Sequence, residues 1–218
     1  GTVTRVDATY DQTVRRAIHA AAEPGSMMIQ DTAWPGYHKV PELIVEGYSA
    51  LYAEIDAQLG AANPPAVVVT PVGVGSLIQA SIAHYRTRQS AHPSLLSVEP
   101  DNAACVLASL RAGSPVTVNT GVSSMNGLNC GTPSPTAWPM MNAGIDAAVA
   151  VTEAQAAQAV ADLHALDFDA GPCGAASLAG IRVALEDGAM RNAMNIDRDS
   201  IIVLLSTESY AANPLSTY

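Results

Sequence analysis

Four groups of residues in this sequence are of types that could do chemistry: Asp31, the run Gly73-Val74-Gly75-Ser76, the carboxylates Glu99 and Asp101, and Ser206-Thr207-Glu208. The glycine run is the most informative of them. It follows residues 66–70, a short apolar and β-branched stretch that predicts a strand buried on both faces. Pro71 stops that strand, and Gly73 and Gly75 allow backbone conformations that residues with a Cβ avoid. Ser76 is the expected cap of a helix over 77–85, where Leu77, Ile78, Ile82 and Tyr85 fall at helical spacing. A buried strand, a glycine turn and a helix N-terminus aim unpaired N–H groups and the positive end of a helix dipole at one point. Phosphate is the usual occupant of such a point; a packed βα turn without a ligand is the other reading of the same residues.

The nature of the phosphate compound stays open on these residues. A dinucleotide fingerprint needs a third glycine where Ile78 stands, although Glu99 follows the next strand at a tolerable distance for a ribose contact. A P-loop is excluded, because no Gly-Lys-Ser/Thr follows the turn.

The elements that must position these groups alternate along the chain. Strands are expected at 2–6, 27–29, 66–70, 94–98, 147–151 and 201–205. Helices are expected at 12–22, 42–59, 77–85, 102–110, 153–163 and 175–185, the first after a polar stretch from Asp7 to Asp11 and the fifth capped by Thr152. Residues 30–41 form a polar and aromatic loop, and 113–138 an extended excursion dense in Gly, Ser, Pro, Thr and Asn. This alternation implies an α/β fold, a mostly parallel twisted sheet with helices on both faces. Ligands of such sheets bind beyond the carboxyl ends of the strands, where all four groups are expected to lie.

Composition narrows the partners. The chain has 218 residues, 49% of them apolar and 14% charged, without an apolar run of membrane-spanning length. Its formal net charge of −10 argues against nucleic acid or an anionic membrane surface as partner. No signal peptide is expected. Cys105, Cys130 and Cys173 lack metal-ligand spacing, so no metal site is expected; buried free thiols would suit a cytoplasmic protein. Lys39 is the only lysine in the chain.

Seven segments stand in an order that resembles the diaminopropionate ammonia-lyase family. They are Tyr10-Asp11-Gln12-Thr13-Val14-Arg15, Gln30-Asp31-Thr32-Ala33-Trp34, Gly36-Tyr37-His38-Lys39-Val40-Pro41, Gly73-Val74-Gly75, Val98-Glu99-Pro100-Asp101, Gly127-Leu128-Asn129-Cys130-Gly131 and Leu205-Ser206-Thr207-Glu208. The resemblance implies a fold-type II enzyme of the tryptophan-synthase-β-like class, dependent on pyridoxal 5′-phosphate. It implies a large cofactor-binding domain over 31–218, with 1–30 the remainder of a smaller N-terminal domain or its linker. Only the carboxy-terminal part of the family's sequence is matched; the segments bearing the Schiff-base lysine and the Asp-Gly-Asn-His stretch have no counterpart here.

By the same resemblance, Gly73, Val74, Gly75 and Ser76 hold the cofactor phosphate. Ser206 and Thr207 sit near the pyridine nitrogen, and Asp31 faces the substrate as a proton-transfer or amine-orienting carboxylate. Lys39 matches a family lysine that is not the Schiff-base lysine. The implied reaction removes ammonia from 2,3-diaminopropionate to give pyruvate and ammonia, in a full-length homodimer. This chain alone is expected to be inactive. A related dehydratase or β-eliminating enzyme and a non-catalytic fragment are the alternatives, with a nicotinamide-binding domain behind them. The family's matching cysteines can form a disulfide, which implies proximity of Cys105 and Cys130. Two departures stand out: Gly171-Pro172-Cys173-Gly174-Ala175 where the family has Gly-Glu-Ser-Gly-Ala, and Ser209 where it has glycine.

Overall fold

Four strands, β1 (Val67–Pro71), β2 (Ser94–Pro100), β3 (Ala147–Val151) and β4 (Ile202–Leu204), pair in the order β3-β2-β1-β4, all parallel. The computed structural model describes residues 1–8, 10–87 and 92–213. The central strands carry the apolar runs. All five residues of β1 are buried, as are six of the seven in β2, so neither shows the alternation of a half-exposed strand. Register is set by pairs such as Val68 with Leu95 and Val68 with Val203.

Each face of the sheet is covered by helices. One face packs against α6 (Glu153–His164) and α7 (Pro172–Glu186) through Val67, Val69, Leu96, Val98 and a row of alanines. Gly180 of α7 lies so close to the sheet that a Cβ there would meet a methyl of Val98 at 2.2 Å. The other face carries α3 (Ser76–Arg86), with α2 (Lys39–Leu59) laid across it and α4 (Cys105–Ala112) and α5 (Trp138–Gly144) beside it. Tyr52 of α2 is fully buried, and its hydroxyl donates to the Leu77 carbonyl at 2.9 Å, which ties α2 to the first turn of α3. Two further helices, α1 (Tyr10–Ala21) and α8 (Gly188–Ala193), complete the set. The polar stretch expected to cap the first helix includes Thr9, which lies outside the described residues.

Two expected strands are absent. Residues 2–5 are exposed and Val6 half-buried, and among the described residues none pairs with them, so a strand there would leave its ladder unmade. Residues 27–29 are also not a strand, because the Tyr37 hydroxyl takes the place of one. It accepts from Gln30 N at 2.8 Å and lies within donating distance of the Met28 and Gln30 carbonyls at 3.1 and 3.2 Å. Tyr37 also stacks on Trp34 with ring centroids 4.2 Å apart. Two short helices, α5 and α8, were not expected. The first hides behind Pro139, which suits a first helical turn but reads as loop.

The excursion after Gly113 is anchored rather than loose. Glu153, in the first turn of α6, accepts from Ser123 Oγ at 2.6 Å, Ser124 Oγ at 2.6 Å and Ser124 N at 2.9 Å. Burial alone would raise its pKa, but the two hydroxyls and the N–H outweigh that and hold it below the ordinary carboxylate value. Glu153→Ala is expected to release this anchor, so that the Ser124 amide exchanges its hydrogen at least about tenfold faster by NMR. Unchanged exchange would show that the anchor is redundant.

Candidate active site

The strand order itself locates the site. β1, β2 and β3 march in one direction across the sheet, whereas β4 returns to the other side of β1. The chains leaving β1 and β4 therefore diverge, and a crevice opens between their carboxyl ends. A cavity of about 260 Å³ lies there. It is lined by Pro71 to Ile78 after β1, by Thr207 and Glu208 after β4, and by Asp31, Tyr48, Gly127, Leu128, Cys130 and Cys173.

The turn after β1 forms the cradle. Gly75, not Ser76, occupies the cap position of α3, with φ 109° and without a side-chain cap bond. Among the described residues, no hydrogen bond uses the N–H of Gly73, Val74, Gly75 or Ser76. These donors lie at the positive end of an eleven-residue helix, where anions are commonly bound. Both glycines are required by space. A Cβ on Gly73 would meet the Gly127 carbonyl at 2.9 Å and Cys130 Sγ at 3.1 Å.

Ser76 has a different task from the one expected. Its hydroxyl lies 3.1 Å from Asp31 Oδ2 and 3.3 Å from the Asp31 carbonyl, so it holds the carboxylate at the cradle's edge. Ser134 closes the same corner: its N–H donates to the Val74 carbonyl at 2.8 Å and its hydroxyl accepts from Ala33 N at 3.1 Å. Tyr48 of α2 lines the cavity on this side. Burial and then the charge of Asp31 raise its pKa, so its hydroxyl keeps its proton. The sequence placed Tyr48 on the apolar face of its helix; a phenol on that face, aligned with the Asp31 loop, was the available signal.

Of the hydroxyl pair after β4, Thr207 lines the cavity and Ser206 does not. Ser206 Oγ instead lies beside Gly174, 2.7 Å from where a Cβ would stand. Glu208, the next residue, faces the cavity and accepts from Cys173 N at 2.7 Å, which caps the first turn of α7 from another segment. Burial first, then the neighbouring Glu208, pushes the Cys173 thiol up to about 12.

Glu99 is absent from this rim. It is fully buried, and its two oxygens accept from Val106 N and Leu107 N, both at 2.7 Å, capping α4. A carboxylate turned inward cannot hold a ribose, which removes the basis of the nicotinamide reading. Cys105 and Cys130 are buried thiols beside Gly73, not joined in a disulfide, and close enough for Cys130 to affect the Cys105 thiol. Lys39 is exposed at the start of α2 and does not line the cavity. Among the described residues no helix is long and apolar enough to cross a membrane, and no His/Cys/Asp/Glu group could hold a metal.

Comparison with known proteins matches this arrangement to one family. The model described as "Pyridoxal-phosphate dependent enzyme" matches residues 1–208. The diaminopropionate ammonia-lyase of Salmonella typhimurium is 27% identical over 94% of this chain. An L-threonine dehydratase of Mycobacterium leprae is 29% identical over 79% of the chain, which covers 39% of that protein. Among solved structures, diaminopropionate ammonia lyase from Escherichia coli in complex with D-serine aligns over 94% of this chain, with a TM-score of 0.82 and 26% identity. The chain spans about half the length, 54%, of these ammonia-lyases.

Proposed function

Since the chain belongs to the pyridoxal-phosphate-dependent enzyme family, we propose that its cavity is the phosphate-and-ring portion of a cofactor site in an ammonia-lyase acting on a small amino acid. One observation carries this reading: the unbonded N–H groups of Gly73 to Ser76 open into a cavity shared with Asp31 and Thr207. The residues present fit the phosphate end of pyridoxal phosphate, where four donors and a helix dipole meet. Thr207 offers a neutral hydroxyl to the ring, with Ser206 behind it. Bound in such a site, the cofactor supplies an electron-withdrawing ring that eases loss of a Cα proton.

The chain's own residues then divide the remaining work. Asp31, held by Ser76, is the candidate to take or orient a proton at the amine end of the substrate. Tyr48 beside it is a hydroxyl that stays protonated. The proposed substrate is 2,3-diaminopropionate, with pyruvate and ammonia as products, which the ammonia-lyase relatives support. The dehydratase relative supports a second reading, β-elimination of a hydroxy amino acid, since Cys173 alters the pocket wall.

The imine-forming amine is the part that does not fit. Lys39 stands outside the cavity. The isolated chain is therefore expected to bind phosphate esters but to release neither pyruvate nor ammonia from 2,3-diaminopropionate when given pyridoxal phosphate. Borohydride reduction followed by peptide mass mapping should find no pyridoxyl group on Lys39. Stoichiometric labelling of Lys39 together with pyruvate release would overturn this assignment.

A further inference from the structure

Asn213 joins the two walls of the cavity. Its side-chain NH₂ donates to the Ser124 carbonyl at 2.8 Å and to Glu208 Oε1 at 3.1 Å, and its Oδ1 accepts from Asn126 Nδ2 at 3.1 Å. An amide has two N–H donors and one carbonyl acceptor, and here each is engaged with a different residue. Glu208 belongs to the wall that follows β4. Ser124 and Asn126 lead directly into Gly127 and Leu128, the opposite wall, where the Gly127 carbonyl abuts Gly73 of the cradle.

We propose that Asn213 is a positioning residue that sets the separation of these walls, and through it the fit of the ring of a phosphate-bearing ligand. This rests on the cofactor-site reading above. The bond to Glu208 is the part that another residue could least replace. Glu208 Oε1 also receives the Cys173 N–H, so it is held by two donors from two segments. A carboxylate at position 213 would keep the shape of the side chain while removing both donors. It would also set a negative charge against Glu208 and the Ser124 carbonyl, forcing the walls apart. Alanine would remove the three bonds without adding repulsion.

The test compares two probes on the intact chain. Inorganic phosphate touches only the cradle, whereas pyridoxine 5′-phosphate, which has no aldehyde and so cannot label Lys39, must also fit between the walls. In calorimetric titrations, Asn213→Asp is expected to weaken pyridoxine phosphate at least about tenfold and Asn213→Ala less, while inorganic phosphate binds all three proteins alike. Retained phosphate binding also certifies that the variants are folded. Equal affinity for pyridoxine phosphate across the three proteins would overturn the role of Asn213, as would parallel losses for both probes. If the unaltered chain binds neither probe, the cofactor-site reading falls first and this inference with it.

Discussion

Gly75→Ala is expected to destabilise the protein by about 2–5 kcal/mol and to remove the phosphate binding proposed for the cradle. Two costs add. At φ 109° a residue with a Cβ is strained by about 1–2 kcal/mol. The new methyl would also lie 2.5 Å from Met141 Sδ and 2.9 Å from its Cε. Met141 is a flexible side chain, but it is fully buried, so it has little room into which to retreat. Overpacking of this kind costs about 1–3 kcal/mol. Relief would come from a shift of the turn, and that shift would displace the unbonded amides proposed to hold the anion. Gly113→Ala is the control, since it shares a positive φ of 68° but has nothing within 4 Å of its would-be Cβ. It should cost about 1 kcal/mol and leave phosphate binding intact. Denaturant unfolding and phosphate titration of both variants check the pair; equal effects at the two positions would refute the crowding argument.

The second large effect concerns Glu99. Its burial, against the pull of the Val106 and Leu107 N–H groups, pushes its pKa up to about 7 from the ordinary 4.5. Between those values the folded protein binds this proton more tightly than the unfolded chain does. Stability from this group is thus fully present below pH 4.5 and is lost as pH rises toward 7, by about 3–4 kcal/mol at about 1.4 kcal/mol per pH unit. Glu99→Gln should flatten this slope in unfolding curves taken across that window. Glu99→Ala should cost about 3–5 kcal/mol near pH 5, because two buried N–H groups lose their partner and a cavity opens. Above the folded pKa its cost should shrink, since the variant no longer buries a charge. A slope that survives Glu99→Gln would assign the pH dependence to another group.

Much of the frame was legible because it depends on local signals. The apolar β-branched run 66–70, the glycines after Pro71 and the helical spacing beyond them correctly foretold β1, the turn and α3. The long excursion from Gly113, expected to bear on function, supplies Gly127, Leu128 and Cys130 to the cavity wall. What escaped was the pairing of polar groups across distant segments. Glu99 ends a strand, as rim residues do, yet the first turn of α4 draws it inward. Ser76 has a capping side chain, but Asp31 arrives from 45 residues away to take its hydroxyl. Residues 27–29 have strand-forming types, but the Tyr37 hydroxyl engages the Met28 carbonyl and the Gln30 backbone in place of a strand neighbour. In each case a hydrogen bond set by tertiary packing outranked the local preference.

The placement of β4 bears on how the molecule comes together in time. β1 pairs with β4 through Val67 and Ile202, residues separated by most of the chain, whereas its other neighbour, β2, follows directly. On a growing polypeptide, β1, β2 and β3 can assemble early, but one edge of β1 must wait until residues 202–204 have been made. During that interval a central, mostly apolar strand presents an open ladder, the condition that favours mispairing between chains. The delay also governs the cavity, whose two walls come from opposite sides of that late pairing. The two walls therefore face each other only once β4 has paired with β1, so the proposed ring site is completed by that step while the glycine cradle after β1 is already in place.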